Sequence, residues 1–202
     1  MSIHVSILGF LARPVRVWAK RFRVAQEAVA AVEFALIMPL LLTLYLGSLE
    51  LSQLITTDQR ITNIAGTVGD LVSRSNGEVT AASLTDYFTA ATAIISPLPT
   101  TGLTQVVTEY SINASTSKAT VIWSQAYNGG TAKLAGTVYN ANTVVPASMT
   151  TISKGSYVIA SEAKYPYTPL LGLFFKTSFT LWHQNFYAPR YAAIICYNTT
   201  TC

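Results

Sequence analysis

The hydrophobic pattern of the chain changes near residue 50 and again near residue 104. Residues 28–49 form an apolar run in which Glu33 is the single charged residue. After this run, apolar residues recur at steps of three, four and seven as far as Val72. This spacing predicts an amphipathic helix that ends within 73–77. From residue 104 the apolar period falls to two, which predicts β-strands.

The pattern after residue 51 predicts a domain that combines helices with an antiparallel sheet. A second helix is expected at 84–95, with Ser83 or Thr85 as its N-cap. Residues 128–156 are rich in Thr, Asn, Ala and Gly and predict an irregular loop with short strand pieces. Helices followed by a run of strands are typical of an α+β fold. The predicted strands are 105–112, 120–127, 157–163, 178–187 and 191–196.

The run at 28–49 is long enough for a transmembrane helix, since about 20 apolar residues cross a bilayer core. Residues 1–26 carry basic side chains and no acidic one, which predicts a cytoplasmic N-terminus. A cleaved secretory signal and a buried core helix are the alternatives, but the run ends without a small-x-small cleavage pattern. We therefore expect a basic leader at 1–27, a transmembrane helix at 28–50 and an extracytoplasmic domain at 51–202. The basic residues of the leader are Arg13, Arg16, Lys20, Arg21 and Arg23.

Two residues inside the apolar run are unusual for a membrane anchor. Pro39 lacks an amide donor and predicts a helix kink near 35–38. Glu33 carries a carboxylate, and an acid at the centre of a bilayer costs about 2.5–3.5 kcal/mol on insertion scales. Its side chain either reaches back to the headgroups or pairs with a cation on another subunit or a free amine near its own N-terminus. Glu33 is therefore the candidate intramembrane assembly contact.

The net charge of +4 is concentrated before the apolar run. Charges after residue 50 are scattered singly, so the sequence predicts no basic stripe for nucleic acid. The chain has two histidines, His4 and His183, and no nucleophile-elbow, phosphate-loop or zinc-protease pattern. We expect no enzymatic activity, no cofactor, no metal site and no small-molecule substrate.

The only cysteines of the chain, Cys196 and Cys202, lie close together at its C-terminal end. In an oxidising compartment they can form a disulfide that closes a short loop. In a reducing compartment they stay two unpaired thiols. The expected extracytoplasmic location favours the disulfide.

Aromatic residues are concentrated between positions 165 and 187. Some of them, such as Phe179 and Trp182, are expected to pack against the helix. Tyr and Trp are also frequent at protein interfaces, and we expect Tyr165 and Tyr167 to be exposed and to form, with Arg190, a candidate partner surface. The set comprises Tyr165, Tyr167, Phe174, Phe175, Phe179, Trp182, Phe186 and Tyr187.

The apolar run resembles the signature of TadE-like (TadE/TadG) proteins. Residues 30–42 read AAVEFALIMPLLL, which is similar to the family pattern G-x-x-A-V-E-F-A-L-x-x-P-x-L-L. The basic lead-in at 20–23 resembles the start of that family. Farther along, 162–170 resembles its E-x-x-Y-x-Y-x-P segment, and 188–190 resembles its terminal R-P-R tripeptide.

This resemblance implies a pseudopilin-like component of the tight-adherence (Tad, or Flp) pilus system. Such a protein sits in the bacterial inner membrane with a periplasmic pilin-like domain, beside other pilin-like or Tad assembly proteins or further copies of itself. The resemblance also implies prepilin-peptidase cleavage between Ala28 and Val29, although Ala28 stands where the family has glycine. After cleavage, the amine of Val29 would pair with Glu33 of a neighbouring subunit; without cleavage the chain is a static anchor. A membrane-anchored module that binds a ligand or partner outside any pilus is the alternative function.

Overall fold

The computed structural model describes residues 26–136, 145–169, 172, 176–199 and 201–202. The chain divides into two compact units, Met1–Leu49 and Glu50–Cys202. The basic side chains of the leader, and Phe174 and Phe175 of the aromatic set, lie outside the described residues. Helix α1, Gln26–Ser73, contributes residues to both units, and the other elements belong to the second.

The second unit has the predicted α+β fold. Its main sheet has five strands in the order β4-β3-β2-β5-β6, and every neighbouring pair is antiparallel. A separate two-stranded sheet pairs β1 with β7 in parallel. The further helices are α2, Ala81–Thr92, continued by a 3-10 turn at Ala93–Ile95, and α3, Ala147–Ile152. The strands are β1 Glu78–Val79, β2 Thr104–Ile112, β3 Ala119–Asn128, β4 Lys133–Gly136, β5 Tyr157–Tyr167, β6 Phe179–Tyr187 and β7 Cys196–Tyr197.

One face of the main sheet packs against α2 and the second half of α1. In the second half of α1 the apolar stripe is buried at Ile61, Ile64, Ala65, Val68 and Val72, as its helical spacing predicts. Leu51 and Ile55 belong to the same predicted stripe but are half exposed, so its packed part begins later than expected. The other buried side chains of this core include Leu84, Phe88, Ala91, Val107, Trp123, Tyr127, Ile159, Ala163 and Leu181.

The opposite face of the sheet has a smaller core around Tyr110 and Val158. Met149 of α3 packs against this core, and Val145 is part of it. Both residues come from the 128–156 region that the sequence predicts to be irregular. The short strand pieces expected there are represented by β4, whereas the short helix α3 is not predicted by the sequence.

Helix α2 begins earlier than its apolar spacing predicts. Thr80 is its N-cap, with extended backbone angles and a side-chain oxygen that accepts a hydrogen bond from the Ser83 amide at 3.1 Å. A hydroxyl at the N-cap satisfies an amide of the first turn in this way. Ser83 and Thr85, the predicted caps, therefore lie inside the helix.

The predicted strand at 191–196 is wrong except for its last residue. Pro189 has no amide donor for a sheet ladder, and the amide of Arg190 donates to the carbonyl of Ser73 at the end of α1. This bond turns the chain away from the main sheet. The backbone becomes extended again only at β7, where Cys196 and Tyr197 pair with β1.

Strand β6 is attached to α1 by four polar contacts, which we call the helix–strand ladder. The contacts recur every four residues on α1 and every two or three residues along β6 and its continuation. Four helical residues rise about 6 Å and two strand residues about 6.6 Å, so the two elements stay in register while they run in the same direction. The pairs are Asp58 with His183 (2.6 Å), the Thr62 carbonyl with Asn185 (3.4 Å), the Gly66 carbonyl with the Tyr187 hydroxyl (3.0 Å) and Asp70 with Arg190 (2.7 Å).

The ladder requires a residue without a side chain at position 69. A Cβ atom on Gly69 would overlap the ring of Tyr187 and would lie 3.0 Å from the Cβ of Ser161. A Cβ atom on Gly66 would lie 3.5 Å from the Tyr187 hydroxyl oxygen, which is an ordinary contact. Only Gly69 is therefore needed for the close approach of β6 to α1.

We expect Gly69→Ala to lower the free energy of unfolding by about 1–3 kcal/mol, because the added methyl group overpacks the Tyr187 contact. Gly66→Ala is the matched control, and it should be neutral or stabilise the helix by up to about 1 kcal/mol. Urea unfolding of the detergent-solubilised protein, followed by circular dichroism, measures both. Equal stability of the two variants would contradict the packing argument.

Candidate membrane anchor and assembly segment

The first half of α1 is long and apolar enough to cross a membrane. Its apolar stretch has a mean hydropathy of 2.1. Between positions 29 and 45 its side chains are exposed on every side, including Leu36 at 74% and Leu44 at 62%. A helix that is apolar all round is typical of a membrane span. Among the residues that the structure describes, this is therefore the one helix that is consistent with a single-pass membrane anchor.

Glu33 lies within this apolar stretch and is exposed. Val29 and Ile37 are four residues before and after it and therefore share its face of the helix. Both of these neighbours are more than half exposed and neither carries a charge. Among the described residues, no side chain forms an ion pair with Glu33. The arrangement presents one carboxylate on an apolar helix surface.

Ala28 and Val29, the predicted processing site, lie in the first turns of α1, which begins at Gln26. The amide of Val29 is four residues before Glu33, which is about 6 Å along the helix axis. An amine formed at this position would therefore lie about one helical turn from the carboxylate of its own chain. Cleavage between these two residues stays a prediction.

Pro39 lies inside the unbroken span of α1. The hydroxyl of Thr43 donates to the Pro39 carbonyl at 2.7 Å, in the same helix and one turn later. Because proline has no amide proton, the carbonyl of Ala35 loses its usual helical partner. The predicted kink at 35–38 stays a prediction.

Tyr165 and Tyr167 are buried, at 5% and 4% exposure, so their expected role as an exposed partner surface is wrong. Both lie on β5 at alternate positions, on the same face as Ala163 in the main core. The hydroxyl of Tyr165 donates to the Pro99 carbonyl, and Tyr167 packs on Phe179 with ring centroids 5.6 Å apart. Burial raises the pKa of both phenols.

Trp182 does not pack against the helix as expected, although Phe179 does reach the main core. These two residues are three positions apart on β6, and successive strand side chains point to opposite faces. Trp182 is 48% exposed on the other face of the sheet, where its indole donates to the buried carboxylate of Glu162 at 3.0 Å. Trp182 is therefore more exposed than the other aromatic side chains of β6, which are partly buried.

Arg190, the third member of the expected partner surface, is only half exposed because it forms the last rung of the helix–strand ladder. Its guanidinium group binds Asp70, which also pairs with Arg74 at 2.8 Å. Burial raises the pKa of the nearby Tyr187 phenol. Asp70 raises it further, and Arg190 lowers it. Arg190 therefore joins the C-terminal segment to α1.

The side chains that remain as chemical candidates are few. His183 bonds to Asp58 in the ladder, as expected for a packed strand histidine. Among the residues that the structure describes, no group of three or more His, Cys, Asp or Glu side chains could hold a metal ion. Sequence reasoning missed Glu109, a fully buried acid on β2. Its position two residues after the core residue Val107 was the available signal, because alternate strand residues share a face.

Cys196 and Cys202 form a disulfide, with their Cα atoms 5.6 Å apart. The alternative of two unpaired thiols is therefore wrong. Cys196 is buried and belongs to β7, whereas Cys202 is exposed. The disulfide links the last residue of the chain to a residue that is fixed in the fold.

The family model described as TadE-like protein matches residues 28–68. This segment includes the apolar run with Glu33 and Pro39 and the first part of the buried stripe of α1. The resemblance inferred from the anchor is therefore confirmed. No curated protein and no solved structure matches the chain.

We expect Cys202→Ala to lower the free energy of unfolding by about 2 kcal/mol, the chain-entropy estimate for a disulfide that closes a short loop. Because Cys202 is exposed, this substitution removes the link without changing core packing. Thr201→Ala, at the exposed neighbouring residue, should have no effect. Thermal unfolding with and without reductant measures the difference. If reductant does not destabilise the wild-type protein, the disulfide does not contribute in this way.

Proposed function

We propose that this chain, whose residues 28–68 match the TadE-like family, is a membrane-anchored, pseudopilin-like component that helps to assemble or anchor a Tad pilus. The role is noncovalent: the helix inserts beside other pilin-like helices, and the folded domain binds assembly partners. No bond is made or broken by the chain itself.

The observation that carries this proposal is the lone carboxylate of Glu33 on an exposed apolar helix. A carboxylate within the apolar part of a bilayer is costly, and among the described residues Glu33 forms no ion pair that offsets this cost. A cationic group on a neighbouring subunit would offset it. Such a contact is also directional, since it forms only when the two helices meet at the matching depth.

The proposed orientation places the leader at 1–27 in the cytoplasm and the domain in the periplasm. Basic residues before the span support it through the positive-inside tendency. The disulfide supports it as well, because such bonds persist in oxidising compartments such as the periplasm. The membrane in this proposal is the bacterial inner membrane.

We expect Glu33→Ala to reduce pilus assembly by about 5–30-fold, since a polar contact between membrane helices contributes about 1–2 kcal/mol. Insertion into the membrane should be unchanged, because alanine is easier to insert than glutamate. Electron microscopy of sheared pili measures assembly, and carbonate extraction measures insertion.

Leu36→Ala is the matched control, because Leu36 is an exposed apolar residue of the same helix and its truncation removes no charge. It should leave piliation normal. Normal piliation in Glu33→Ala, or an equal loss in Leu36→Ala, would refute the proposed role of Glu33. Piliation that persists when the whole chain is deleted would leave the alternative of an anchored binding module.

If the chain is processed between Ala28 and Val29, its intact mass in the native membrane is about 3 kDa below the full 21.8 kDa, whereas an uncleaved anchor keeps the full mass. Mass spectrometry of the extracted protein measures this. Ala28→Gly restores the residue that the family carries and should be processed at least as completely. Full mass for the wild type together with the short form for Ala28→Gly would mean that the natural chain is a static anchor.

A further inference from the structure

Glu109 is a carboxyl group sealed inside the domain, with 0% exposure. It lies on β2 directly opposite Trp123 of β3 and Ile159 of β5, and the ladder between β2 and β3 is irregular immediately after it. A buried carboxylate is unfavourable unless charged partners or hydrogen bonds satisfy it. Its described partners are two N–H groups, and neither belongs to a cation.

The two N–H groups connect Glu109 to the C-terminal tail, residues 195–199. One carboxyl oxygen accepts from the amide of Ile195 at 3.0 Å, and the other accepts from the indole of Trp123 at 3.1 Å. The same indole donates to the carbonyl of Ile195 at 2.6 Å. Glu109 and Trp123 together therefore bind both backbone polar groups of one tail residue.

This point of attachment holds the whole tail on the domain. The side chain of Ile195 is fully buried in the main core, and Tyr197 stacks on Trp123 with ring centroids 5.8 Å apart. The next residues form β7 on β1, and the amide of Asn198 donates to the carbonyl of Val79. Loss of the Ile195 bonds would weaken every one of these contacts, because they are consecutive along the chain.

Burial raises the pKa of Glu109 from 4.5 to about 7, although both hydrogen bonds lower it. When the tail detaches, the carboxyl meets water and its pKa returns toward the ordinary value. The docked state therefore holds the proton more tightly, and proton binding favours docking. This contribution is fully present below about pH 4.5 and is lost as the pH rises through about 7.

The charged and titratable groups on the elements around Glu109 do not bond to its carboxyl group. On the tail and its partner strand these are Tyr197 and Glu78. At the end of α1 they are Asp70 and Arg74, which bond to each other. On the strands beside β2 they include Tyr127, whose hydroxyl bonds to Thr89. Among the described residues, the hydrogen bonds to the Glu109 carboxyl group come from the Trp123 indole and the Ile195 amide.

We propose that Glu109 is a pH-sensitive latch, which keeps the C-terminal tail docked while its carboxyl is neutral and loosens the tail when it ionises. The latch needs no partner and is separate from the role of Glu33. Through this latch, the docking of the tail on the domain depends on the pH of the compartment.

Hydrogen exchange of the full chain in detergent, followed by mass spectrometry and corrected for intrinsic exchange at each pH, tests the latch. Between about pH 5 and 7, protection of the 195–199 amides should fall about tenfold per pH unit, because one proton is released per opening. Above that range it should level off. In Glu109→Gln, protection should not depend on pH.

Glu162→Gln is the matched control, since Glu162 is a buried acid of the same sheet that accepts hydrogen bonds from Trp182 and Gln184 of β6; it should keep the wild-type slope. Trp123→Phe removes an N–H that favours the ionised form, so protection should level off at a higher pH. This variant decides the question if Glu109→Gln does not fold. Any of three results would overturn the latch. They are wild-type protection that is independent of pH, the same pH slope in Glu109→Gln as in the wild type, or protection in Trp123→Phe that levels off at the same pH as in the wild type.

Discussion

The alignment of β6 with α1 is the constraint on which the rest of the domain depends. Four residues of helix and two of strand advance by nearly the same distance, so one ladder of polar contacts from Asp58 to Asp70 sets the register of the strand. With β6 placed, β5 and the remaining strands follow through their antiparallel pairing. The apolar stripe of α1 then meets the core face of the sheet. The absence of a side chain at Gly69 lets the two elements approach this closely.

Local periodicity made much of this fold predictable. The long helix, its end near Ser73, the four long strands and the α+β class all follow from spacing that a short window of sequence contains. The errors concern the face on which a residue lies. Tyr165 and Tyr167 lie beyond the predicted strand 157–163, but β5 continues through Pro166 to Tyr167, and its alternation places both side chains in the core. Trp182 was assigned to the helix side together with Phe179, although their odd separation puts them on opposite faces.

Contacts between distant parts of the chain were not predictable in the same way. The pairing of β1 with β7 joins residue 78 to residue 196, and neither strand is long enough to show a pattern of its own. The bonds of Glu109 to Ile195 belong to the same class. In the anchor, by contrast, Glu33 and Pro39 stand out from the sequence, because an acid and a proline are rare in apolar helices. The sequence identifies these residues but names no partner for Glu33, and no ion pair to Glu33 occurs among the described residues.

Glu109 and Glu33 differ in how their surroundings satisfy a carboxylate. Glu109 is enclosed by its own fold, accepts two N–H bonds and has a raised pKa, so its chemistry is contained within the domain. Glu33 is exposed on an apolar helix and has no ion-pair partner among the described residues. A polar group that the fold leaves unsatisfied in an apolar medium must find its partner elsewhere. The first acid therefore acts on the conformation of one chain, while the second is suited to act between chains.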